Sequence, residues 1–96
     1  MEMIPNKPLS KDRWAAMRRS ERALSAKPGT LVYGDLDVGV VNCRVLGLSE
    51  TGVRVETNVM LNPTPESFSL EFSGIYCLAR RRWAVGREIG LEFIFD

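Results

Sequence analysis

The chain contains no histidine and only two cysteines, Cys43 and Cys77, in 96 residues. Without imidazole, Ser–His and Cys–His nucleophile pairs and histidine-bound metals all drop out. Two cysteines alone make a poor metal site, so neither a metal nor a catalytic residue is expected. A secreted fold held by disulfides carries more cysteines, and both thiols read as reduced, small core hydrophobes. No apolar run approaches the roughly 20 residues needed to cross a bilayer. Met1 to Pro8 has no apolar stretch of the secretory type. These absences lead to an expected cytoplasmic protein without membrane insertion. No paired-acid pattern stands out, and a chain this short buries one modest core rather than a core and a deep cleft. The expectation is a binding protein without a cofactor, not an enzyme.

Acidic residues are scarce in one region. Lys11, Arg13, Arg18, Arg19, Arg22 and Lys27 face only Asp12 and Glu21, so residues 11–27 carry a net +4. Residues 28–96 hold six arginines against nine acids, a net −3. A basic leader ahead of a slightly acidic body suits capture of an anion; a solvated arm is the plainer explanation.

Three segments emerge along the chain. Residues 1–9 contain Pro5 and Pro8 without any pattern and are expected to be a flexible N-terminus. Residues 10–27 form a basic arm or short helix. Ser10 is placed to cap a helix over Lys11 to Ser25, whose only large apolar groups are Trp14, Met17 and Leu24. So few apolar groups offset little backbone entropy, so the leader is expected to be less ordered than the rest when no ligand is bound.

Residues 28–96 read as strands broken by Gly, Asn, Pro and Ser. They run over Thr30 to Tyr33, Val38 to Leu46, Gly52 to Thr57, Ser67 to Phe72, Ile75 to Trp83 and Glu88 to Phe95. Alternation puts Phe68, Leu70 and Phe72 on one face, and Ile89, Leu91, Phe93 and Phe95 on another inward one. In the fifth strand it groups Arg81 with Cys77, Ala79 and Trp83, an arginine where a core residue belongs. The Arg80-Arg81-Arg82 run reads as a solvated edge strand. Short strands with one apolar face must roll up to hide it, which gives a mainly β, six-stranded antiparallel barrel.

Two motifs then stand in order. Arg18 and Arg22 form an Arg-x-x-x-Arg pair before the first strand, and Leu48-Ser49-Glu50-Thr51-Gly52 occupies the turn between the second and third. With the closing segment from Arg82 to Phe93, this resembles the PilZ family, whose signature is Arg-x-x-x-Arg followed by Asp/Asn-x-Ser-x-x-Gly. The resemblance spans about Arg18 to Phe95. It implies a bacterial PilZ-like barrel that binds cyclic di-GMP and relays the signal to a protein partner. Arg18, Arg19, Arg22, Ser49 and Gly52 would then form the ligand site. Arginine suits that ligand because its fork binds phosphate, reads the guanine edge and stacks on the base. Gly47 departs from the pattern, standing where the family has Asp or Asn. One lost contact of that kind costs roughly 1–3 kcal/mol.

The alternative from another class is a degenerate barrel that acts as a nucleotide-independent protein-interaction module. Nucleic-acid binding is not expected, because adjacent strands lack the aromatic platforms of a single-strand binder.

Overall fold

Helix formation begins at Ser10, whose hydroxyl accepts the backbone N–H of Arg13 at 3.1 Å and caps helix α1 (Lys11–Arg18). A turn at Arg19 and Ser20 leads into the short α2 (Glu21–Leu24). The computed structural model describes residues 9–95, with the side chains of residues 21 and 23 left aside. The single helix expected through Ser25 is therefore broken. The backbone N–H groups of Arg19 and Ser20 bond three residues back, to the carbonyls of Ala16 and Met17. A straight helix would have carried Leu24 about 15 Å along the axis from Trp14. The break lets both side chains reach the core, where Trp14 is fully buried and Leu24 nearly so.

Six strands follow: β1 (Pro28–Tyr33), β2 (Gly39–Leu48), β3 (Gly52–Thr57), β4 (Ser67–Phe72), β5 (Ile75–Val85) and β6 (Glu88–Ile94). They pair antiparallel in the closed order β1-β2-β3-β6-β5-β4, with β1 against β4 completing the ring. The expected six-stranded antiparallel barrel is thus present. Inward positions are filled as the alternation requires, with Phe68, Leu70, Phe72, Ile89, Leu91 and Phe93 all buried beside Leu31, Val45, Val55 and Ile75. Among the described residues, no helix is long and apolar enough to cross a membrane.

Two details of β5 depart from the sequence reading. The Arg80-Arg81-Arg82 run is not an edge, because β5 lies between β4 and β6. Arg81 and Trp83 do not share a face, because the register slips between them: Arg81 pairs with Leu91 and Trp83 with Gly90. The extra residue turns Trp83 outward. Arg81 keeps the inward parity just past the end of the β4 pairing, where its guanidinium donates to the Thr64 carbonyl and its backbone N–H to the Glu66 carbonyl. The partial burial of this arginine is therefore accompanied by hydrogen bonding, which offsets its desolvation.

The leader plugs one mouth of the barrel. The Trp14 ring meets Phe93 edge-on at 4.8 Å and Phe72 at 6.5 Å, and its indole N–H donates to the Ser49 carbonyl at 3.0 Å. Leu9 is also fully buried, although the sequence pattern assigned it to the loose N-terminus; the rest of that stretch, residues 1–8, lies outside the described residues. Just before β1 the chain is tied to β2 by two backbone bonds, Ala26 N–H to the Val45 carbonyl and Val45 N–H to the Lys27 carbonyl.

Two outcomes are expected. Trp14→Ala removes the plug's anchor at a cost of about 3–5 kcal/mol. Amide exchange should then accelerate across Lys11–Leu24 while β2 to β6 keep their protection. Equal loss of protection in the strands would show instead that leader and barrel unfold as one unit. The second outcome concerns the thiols. Burial pushes Cys43 up to about 11 and Cys77 to about 12, from 9.0. Both are protonated in the fold where the unfolded chain ionises, so stability should fall as pH rises from 9 towards 12. Alkaline denaturant titrations of Cys43→Ala and Cys77→Ala against the parent would show a shallower fall if these thiols carry the dependence.

Candidate functional site

The turn after β2 is tightly built. Ser49 N–H bonds the Gly52 carbonyl at 2.9 Å, closing a four-residue turn, and Phe93 N–H bonds the Thr51 carbonyl at 2.7 Å. Gly52 is buried, and a Cβ there would run into the Leu91 carbonyl of β6. Glycine is required at this position by the close approach of two backbones, whatever else the turn does.

Just before the turn, β2 carries its own bulge. Val45 pairs with Val55, but the next pairs are Gly47 with Arg54 and Leu48 with Val53, so Leu46 is the extra residue. Gly47 thereby faces outward and Leu48 inward, the reverse of simple alternation. With the bulge in β5, this aligns one outward row across four strands: Gly47, Arg54, Gly90 and Trp83. Each glycine leaves a low floor beside a large neighbour. The Arg54 guanidinium passes 3.8 Å from the place a Gly47 Cβ would occupy, and the Trp83 indole covers the place of a Gly90 Cβ.

A groove of about 570 Å³ opens over this row and the Ser49–Thr51 turn. That volume lies within the range of about 300–1,000 Å³ typical of small-ligand sites. Its charged walls are Arg54, paired with Glu88 at 3.2 Å, Arg82, paired with Glu92 at 3.1 Å, and Glu92 itself. All four side chains are substantially exposed, and such pairs are worth no more than about 1 kcal/mol. Either guanidinium can therefore exchange its carboxylate for a stronger anion at little cost. Among the described residues, no three His, Cys, Asp or Glu side chains come together as metal ligands.

The structure brings together only part of the set chosen from the sequence. Ser49 lines the groove, while Gly52 sits beneath it as a packing residue. Arg18, Arg19 and Arg22 do not line it. Arg18 is half-buried, one helical turn from Trp14 and so on the side of α1 that meets the Ser49 carbonyl. Arg19 and Arg22 are exposed. Arg54, Arg82, Trp83 and Gly90 were missed. The outward phase of Arg54 was readable in the alternation of β3, but the bulge in β5 hid the orientation of Trp83. Comparison with protein-family models, curated proteins and solved structures gave no match.

Gly47 does not take a positive φ, and its side-chain position is open apart from Arg54. Gly47→Asp should accordingly fold normally, its carboxylate beside the Arg54 guanidinium, with a melting temperature within a few degrees of the parent. Asp is a poor strand former, but the lost glycine entropy and an exposed ion pair offset that. A loss above about 2 kcal/mol in a denaturant titration would mean that the groove floor does not tolerate a side chain.

Proposed function

We propose that this chain is a PilZ-type receptor that binds cyclic di-GMP at the β2–β3 groove and passes its occupancy to a partner protein. It acts by binding and not by turnover. The observation that carries this reading is the hydrogen bond from Trp14 to the Ser49 carbonyl. It holds the arginine-bearing leader against the same turn that carries the Leu-Ser-Glu-Thr-Gly motif and borders the groove. Ligand phosphates drawn to Arg18, Arg19 and Arg22 would pull on a leader whose docking depends on that turn. Binding and leader position are thus linked, as a relay requires.

One observation favours the second reading, a nucleotide-independent interaction module. The leader is seated firmly, with Trp14 and Leu9 buried in the barrel core. A segment so anchored presents a constant surface. Gly47 weighs on the same side, since it lacks the motif's polar side chain.

Titration with cyclic di-GMP separates the two. The receptor should bind weakly, and Arg18→Ala or Arg22→Ala should abolish binding, because each contributes charge-assisted bonds to a dianion. Gly47→Asp should tighten binding by about 10–100-fold. If neither the parent nor a well-folded Gly47→Asp protein binds at millimolar ligand, the module reading stands and the receptor reading is withdrawn.

A further inference from the structure

Trp83 is 41% exposed although one face of its ring lies on the backbone at Gly90. Among the described residues it has neither an aromatic partner nor a hydrogen bond to its indole N–H. The contrast with Trp14, buried, edge-on to two rings and hydrogen-bonded, is complete. One tryptophan is used by the fold, and the other is supported from below and open above.

The support is specific. Gly90 is the residue directly across from Trp83, and only glycine leaves room for the ring to lie on the strand. Next in the row comes Arg54, directly across from Gly90 on the other side. With strands spaced about 4.8 Å apart, Trp83 and Arg54 are anchored about 10 Å from each other, a separation suited to a base at one end and a phosphate at the other. Arg82 flanks the ring within the same groove.

We infer that Trp83 is the base-stacking platform of this groove and Arg54 its phosphate ligand, so that the site takes a purine nucleotide with its base flat on the indole. This deepens the receptor reading and rests on it, adding two binding residues outside the motif. A purine presents a large π-face to the exposed ring, and stacking needs no polar partner on the protein. Among the described residues the Arg54 guanidinium is held only by an exposed pair with Glu88, which a phosphate displaces. Gly90 acts as a positioning residue through Trp83.

The test uses the full chain with cyclic di-GMP, following affinity by equilibrium dialysis and ring access by acrylamide quenching of tryptophan fluorescence. Trp14 is buried, so quenching reports on Trp83. Saturating ligand should shield Trp83 from acrylamide. Trp83→Leu should weaken binding by about 10–100-fold, and Trp83→Phe should restore part of the loss. Gly90→Ala keeps the indole but lifts it from its floor, and should weaken binding in the same direction. If the parent binds while Trp83 stays equally quenchable, or Trp83→Leu binds as well as the parent, this assignment is overturned and the receptor reading survives. Absence of binding by both the parent and Gly47→Asp overturns both. Should Trp83→Leu fail to fold, the quenching result and Gly90→Ala decide the matter.

Discussion

Closure of the ring by β1 against β4 is the constraint on which the remaining structure depends. Four residues of β1, Gly29 to Val32, pair with Phe72 to Ser69, and the same strand pairs with β2 on its other side. Gly29 sits between β2 and β4, with the Glu71 carbonyl and the Cys43 sulfur 3.1 and 3.2 Å from the position of a Cβ. Closing the sheet removes unpaired edges and creates an interior that alternating apolar residues fill. It also creates two mouths, and an open mouth exposes core rings to water.

The leader answers that problem at one mouth. Its single tryptophan adds buried apolar area to a small barrel, packing edge-on against Phe93 and Phe72. A buried indole N–H needs a partner, and the Ser49 carbonyl provides it. That requirement couples the plug to the β2–β3 turn. A basic segment that looks dispensable by composition is thus attached to the candidate site through a core residue, and one of its arginines, Arg18, lies one helical turn from that residue.

The groove owes its form to two interruptions in the strand ladders. Simple alternation would have turned Gly47 inward and put Trp83 beside Arg81. The bulges at Leu46 and Arg82 exchange these faces, so that two glycines, an arginine and an indole share one outward row. Neither bulge changes the barrel's strand order, and past each one an apolar residue, Leu48 or Ala84, still packs against the core. Both change what its outer face offers to a ligand.

The linear pattern of residues was sufficient for the barrel. Alternation in 67–72 and 88–95, breakers at Gly34, Asn62 and Gly74, and a cap at Ser10 are local signals, and apolar burial enforces them wherever the strands pair. It was also sufficient for the Ser49 turn and for the uneven charge, both of which are contiguous in the chain. The fate of Leu9, the broken helix, the inward Arg81 bound to Thr64 and the outward Trp83 were not legible there. Each depends on a partner distant in sequence: the barrel mouth, the Ser49 carbonyl, the loop before β4, and Gly90. A bulge inverts every side chain beyond it, yet only the register against a neighbouring strand determines where it falls. Periodicity within one segment therefore determined which residues make the core, and only the pairing of segments decided which of the others meet at the groove.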